Sequence, residues 1–280
     1  MISTIDHRLV TSFISYIDYQ ILSKGNSYTT ISTGFYPYTG SRYTNLTIYA
    51  SPFKQMISDV GITGATVITG VSGNNNLYNR ASGVVFDYEK GRILFTTNPG
   101  LSQFSGSFSV KDVNIKYSTK SVEDVLKNTK YVTQPVTNQS VTGIAESVET
   151  YPIVFVNYTP GKNKGRALGG LEDTDFKFDC ICVTNSQYLL DGLLGILRDL
   201  NKTQVGIFDN SETPLNASGD LKNTSYSYTG TTASKSWPNA FFITDVETFK
   251  IDNSVNNEYG QDIFIGEANF DCSLSRFPRL

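Results

Sequence analysis

Between Gly64 and Thr97 apolar residues recur at alternate positions in successive runs, a period of two that reads as strand rather than helix. Ala65, Val67, Thr69 and Val71 form the first run, and Gly73-Asn74-Asn75-Asn76 turns the chain. Val84, Phe86 and Tyr88 form the second; Glu89-Lys90-Gly91 then makes a tight hairpin with Gly91 in the left-handed position, and Arg92 to Thr96 returns. A further strand runs through Phe104, Phe108 and Val110. Its phase slips by one at Lys111-Asp112, because Val113, Ile115 and Tyr117 continue on odd positions, and a β-bulge would do this. Residues 61–120 are expected to form an inserted antiparallel β-meander.

Helical signals are few. Ile5, Leu9, Phe13, Ile17 and Ile21 make an apolar stripe, with Ser3 as cap and Gly25 as stop. Ser51-Pro52 reads as the start of a short helix ending before Gly61, and Ser121 to Lys130 as another. Residues 133–143, rich in Thr, Gln and Asn, are the linker candidate. Tyr151 to Asn157 is a buried strand, and Phe176, Phe178, Cys180 and Cys182 alternate along another. That strand feeds a helix capped near Asn185, with Leu189, Leu190, Leu193, Leu194, Leu197 and Leu200 on its apolar face. Gln204 to Phe208 adds a strand, 209–239 is a long surface loop, and 240–251 and 262–274 are closing strands. The expected fold is α+β and β-rich: a mixed or antiparallel sheet with two main helices, from residues 1–60 and 121–280, carrying the meander 61–120. Only 18% of the 280 residues are charged and 12% are aromatic, a balance that favours sheet over helical bundle.

The residues that carry chemistry are countable. The net charge is −3, which predicts no basic face for nucleic acid. His7 is the single histidine, so any triad would have to use it. Cys180, Cys182 and Cys272 are too few and too irregular for a disulfide framework or a zinc site, and read as buried small apolar residues. Ser51-Pro52-Phe53-Lys54 matches S-x-x-K, but neither S-D-N nor K-T-G occurs, so Ser51 reads as a helix cap. Gly161 to Gly170, containing Lys162, Lys164 and Arg166, lacks the G-K-[ST] ending of a phosphate loop and reads as a mobile or contact-making loop. Glu172 to Asp175 lacks EF-hand spacing and reads as a solvated turn. No catalytic, cofactor or metal residue is assigned. The start, MISTIDHRLV, has no basic n-region or apolar h-region, and no apolar run reaches ~20 residues, so a cytoplasmically made chain without membrane contact is expected. Six N-x-S/T sequons then reflect composition rather than glycosylation.

Residues 150–200, TYPIVFVNYTPGKNKGRALGGLEDTDFKFDCICVTNSQYLLDGLLGILRDL, resemble a pattern in virion structural proteins of tailed bacteriophages. The pattern is a strand, a loop ending in Gly169-Gly170-Leu171, a strand, then Asn185-Ser186-Gln187-Tyr188-Leu189-Leu190-Asp191 leading a helix. The hairpin with Asp87-Tyr88 before its turn and Gly91-Arg92-Ile93 after it is similar to one in phage assembly proteins. The resemblance implies a ring-forming neck component joining portal and head to tail around the DNA channel, synthesised in the host cytoplasm. Its implied partners are its own copies, portal or adaptor proteins and tail proteins, with DNA only as passing cargo. Asn74, Asn75, Asn76, Lys162, Lys164 and Arg166 are the candidate subunit contacts. Alternatives are a tail or baseplate structural protein, or a carbohydrate-binding β-module using exposed Tyr and Trp237.

Overall fold

The computed structural model describes residues 5–39, 45–119, 123–124, 131–133, 149–166, 169–228, 235–251 and 263–277. Helix α1 (Ile5–Gly25) carries Asp6 in its first turn and Lys24 in its last, each matched in sign to the helix dipole. Leu9, Phe13, Tyr16, Ile17 and Ile21 on one side of it enter the larger apolar core. Ser12, Ser15, Asp18 and Leu22 are buried as well, so α1 is enclosed on more than its apolar stripe.

Seven strands form the first sheet: β1 (Tyr28–Pro37), β2 (Thr47–Ala50), β3 (Gly70–Gly73), β4 (Asn76–Asn79), β5 (Val84–Asp87), β6 (Arg92–Phe95) and β7 (Phe104–Lys111). Their order is β4-β3-β7-β1-β2-β6-β5, and every pair is antiparallel. After β8 (Asn114–Tyr117), the short strands β9 (Tyr131–Thr133) and β10 (Glu149–Tyr151) make a separate parallel pair. The second sheet has the order β13-β14-β15-β12-β11-β8. Its remaining strands are β11 (Ile153–Gly165), β12 (Glu172–Thr184), β13 (Gln204–Gly206), β14 (Ala240–Lys250) and β15 (Phe264–Arg276). Only β8 against β11 is parallel. The β-rich α+β class is thus realised with one antiparallel and one mixed sheet.

Helices α1 and α2 (Gln187–Arg198) share one face of the second sheet. There Phe13 stacks on Phe178 with centroids 4.0 Å apart and meets Phe270 edge-on at 5.0 Å. Burying one such side chain contributes about 2–3 kcal/mol. Val154, Val156, Phe176, Phe178, Cys180 and Cys182 all point into this core, as their alternation predicts. The three cysteines are buried; burial pushes the Cys182 thiol up to about 12 and also raises those of Cys180 and Cys272. Ser186, rather than Asn185, caps α2, and it does so without a side-chain hydrogen bond.

Several expectations are corrected by tertiary pairing. The phase slip at Lys111-Asp112 is no bulge: β7 ends at Lys111 in the first sheet and β8 starts at Asn114 in the second. Changing sheets lets successive residues serve opposite cores without distorting either ladder. Register shifts occur instead between Thr159 and Lys162 and between Ile243 and Asp245. Ser51 to Gly61 contains no helix. The backbone N–H of Ser51, Gln55, Met56 and Ile57 donate to the carbonyls of Gly91, Glu89, Tyr88 and Ser109, so hairpin and sheet take the donors a helix would use. Ser51 Oγ accepts from the Phe53 N–H at 2.8 Å in a local turn. In the run 65–71 only the end is strand, and Ile68 and Val71 are buried while Thr69 is exposed. Strand pairing also groups the chain differently from a 61–120 insert, because β1 and β2 complete the meander's sheet and β8 leaves it. Of the expected helix 121–130 only residues 123 and 124 are described, both helical, and of the linker candidate 133–143 only Thr133 is described, as the last residue of β9.

Gly91 has φ +67°, and a Cβ there would lie 1.8 Å from the Phe53 carbonyl oxygen. Gly91→Ala should therefore cost about 3 kcal/mol or more, read as a lowered urea midpoint. The Asp18 carboxylate of α1 accepts from Lys111 Nζ of β7 at 2.6 Å, with both side chains largely buried. Lys111→Met leaves that carboxylate without its counter-charge and should cost about 3–5 kcal/mol in the same assay.

Candidate functional site

The Asn tip is a two-residue hairpin: Gly73 pairs with Asn76, and Asn74 and Asn75 between them have φ 48° and 64°. Both central residues in the left-handed region define the turn that matches the strand twist, and Asn tolerates that region better than most residues. Asn74, Asn75 and Asn76 are exposed. Leu77, next along the outermost strand β4, is 66% exposed. Beside it an open groove of about 590 Å³ runs over Ser32, Gly34, Ser72, Ser105 and Ser107.

Lys162 and Lys164 lie on β11 rather than in a loop, and the acidic run expected as a turn begins β12 opposite them. The hairpin continues because Lys162 registers with Asp175 and Lys164 with Asp173. Lys164 Nζ donates to Asp175 Oδ2 at 2.7 Å, which raises the ammonium and lowers the carboxyl from their ordinary values. Arg166 Nη1 reaches Asp173 Oδ1 at 3.5 Å and Ser275 Oγ at 3.3 Å. Exposed pairs of this kind add little stability; this end of the hairpin is held as part of the sheet, since Glu172 to Asp175 also pair with Arg276 to Ser273 of β15. At the register shift Gly161 lets the strands close, since a Cβ there would fall 1.4 Å from the Asp175 carbonyl oxygen. The Asn tip and the basic residues belong to different sheets, and the structure does not assemble them into one site.

Sequence spacing gave no hint of the strap formed by residues 213–228. Far from being a free surface loop, this segment buries Leu221, Tyr226 and Tyr228 against the first sheet. Arg80 Nη1 donates to Asp220 Oδ2 at 2.6 Å while Nη2 meets the other carboxylate oxygen, a two-pronged clasp. The Tyr88 N–H donates to the Gly219 carbonyl, and Asp59 accepts from the Tyr228 N–H at 3.0 Å and the Gly61 N–H at 2.7 Å. Arg80 and Asp220 stand 140 residues apart, so no local pattern could pair them.

His7 is exposed on the first turns of α1. Among the described residues no group of three or more His, Cys, Asp or Glu is placed to hold a metal ion, and no helix is long and apolar enough to cross a membrane. Tyr188, 85% exposed, and Leu189 project from the first turn of α2, while Phe242 and Phe249 on β14 are also well exposed. Compared with known proteins, the chain matches no family model and no curated protein.

Burial beneath the strap pushes the Asp87 carboxyl up to about 6, helped by the charge of Glu89 and opposed by the Lys90 N–H and by Arg92 and Lys90. A carboxyl raised on folding stabilises the protonated native state below its unfolded value, and that contribution is lost as pH rises towards 6. Asp175, Asp191 and Glu212 are lowered, so their contributions stay constant above pH ~5. This carboxyl should make the chain about 1 kcal/mol more stable at pH ~5 than at pH ~7, and Asp87→Asn should remove that difference in thermal melts.

Proposed function

We propose that this chain is a non-enzymatic structural subunit that assembles head to tail into a ring, in the neck of a tailed-bacteriophage virion. The observation that carries the reading is the placement of exposed apolar side chains. Leu77 sits on the outer strand of the first sheet, whereas Tyr188, Leu189 and Phe249 sit on the second sheet and its helix. Two unlike patches on one chain are what a heterologous interface needs, since each copy must present one patch to the copy before and the other to the copy behind. The Asn74–Asn75 turn and the ion-paired end of the β11–β12 hairpin extend the surface available to neighbours. The resemblance of residues 150–200 and of the β5–β6 hairpin supplies the neck assignment within the wider class of ring subunits.

Imaging of assembled particles with the chain located in them tests the reading: density as a closed ring at the head–tail junction is expected. One or two copies per particle would end the ring proposal, and density at the distal tip would move it to the tail or baseplate. Leu77→Asp and Tyr188→Asp, each on an exposed side chain, should each abolish incorporation into the ring while leaving thermal stability within about 0.5 kcal/mol.

A further inference from the structure

Where β15 ends beside the first turn of α1, a cleft of about 420 Å³ opens between the two elements. Ile5, Ile207 and Leu274 give it an apolar floor, and Arg8, Arg276 and the Asn239 amide its polar groups. The two guanidinium groups differ in their commitments. Arg8 is occupied, with Nε donating to the Phe208 carbonyl at 2.9 Å and Nη2 paired with Asp209 at 2.6 Å. Arg276 is not. Its Nε is buried and finds no hydrogen-bond acceptor, and among the described residues no carboxylate lies within 4.0 Å of its guanidinium. The Asp6 carboxylate of the neighbouring helix turn is taken up by the Tyr158 hydroxyl at 2.6 Å.

The buried Nε is out of a ligand's reach; what the cleft offers is the outer edge of the guanidinium, which meets no carboxylate among the described residues and whose planar fork matches a carboxylate in two-pronged fashion. The floor beneath it excludes a bare hydrated ion and suits a compact apolar body. Trp237, 47% exposed and next in sequence to the lining residue Pro238, stands edge-on to Phe277 of the cleft wall with centroids 6.1 Å apart. It offers an aromatic face on which a ring can rest. We propose that this cleft is a binding site for a small carboxylate ligand with a ring-shaped apolar face, its carboxylate on Arg276 and its body over Ile5, Ile207 and Leu274. Two sources share that chemistry, an aromatic carboxylate and a uronic-acid sugar. The site does not depend on ring assembly.

Titration of the full chain with sodium benzoate and with sodium glucuronate, followed by tryptophan fluorescence and calorimetry, tests it. Saturable binding of either is expected, benzoate alone pointing to an aromatic carboxylate and glucuronate alone to an acidic sugar. Arg276→Gln should weaken binding at least tenfold, on the order of 1.4 kcal/mol or more. Benzamide, which keeps the ring and lacks the charge, should not compete on the unaltered chain, a measurement that needs no variant to fold. Failure of both carboxylates to bind, equal binding of benzamide, or unchanged affinity in Arg276→Gln would each overturn the site.

Discussion

Helix α1 is wedged between two sheets that do not otherwise form one layer, and the rest of the architecture depends on how that wedge is held. Its apolar side, through Leu9, Phe13, Ile17 and Ile21, closes the core of the second sheet. Its other side buries Ser12, Ser15 and Asp18 beside Leu22, and two of these polar groups reach across the fold. Ser12 Oγ accepts from the Phe208 N–H at 2.7 Å and donates to the Arg8 carbonyl, fixing the chain where it leaves β13. Asp18 reaches Lys111 at the last residue of β7, so the ion pair ties the helix to the first sheet just before the chain crosses to the second. Burial makes such a pair sensitive to geometry, because neither charge retains water to fall back on.

The strap 213–228 fastens a further layer over the same sheet. Its anchors are of different kinds: aromatic burial at Tyr226 and Tyr228, the Arg80–Asp220 clasp, and backbone hydrogen bonds from Tyr88 and Val60. Covering Asp87 and Asp59 this way raises both carboxyls, chiefly through burial. Lys54 is lowered to about 8 by the same cause, with Lys90 nearby adding to it. These shifted groups lie where layers meet, and burial there is the main origin of their shifts.

Legibility in the sequence followed locality. The alternation of Phe176, Phe178, Cys180 and Cys182 gave a strand with one buried face, and the turn at Gly91 gave a hairpin, because period and turn geometry are set by neighbours in the chain. The exposed Asn tip was legible for the same reason. Lys162 and Lys164 were misplaced because their strand carries polar residues at successive positions, and its extension is set by pairing with Asp173 and Asp175 across the hairpin. Arg276 carried no signal at all, since its importance lies in what fails to meet its guanidinium in space.

By itself, then, the sequence determined the β-rich class, the two amphipathic helices and the hairpins, all consequences of hydrophobic period and turn stereochemistry over a few residues. Only the tertiary structure decided that the slip at Lys111-Asp112 is a change of sheet, that Ser51 to Gly61 gives its donors to Tyr88, Glu89, Gly91 and Ser109, and that residues 213–228 form a strap. Those outcomes depend on which distant groups satisfy a backbone donor or a buried charge, and a hydrogen bond made across the fold leaves no periodicity in the chain that makes it.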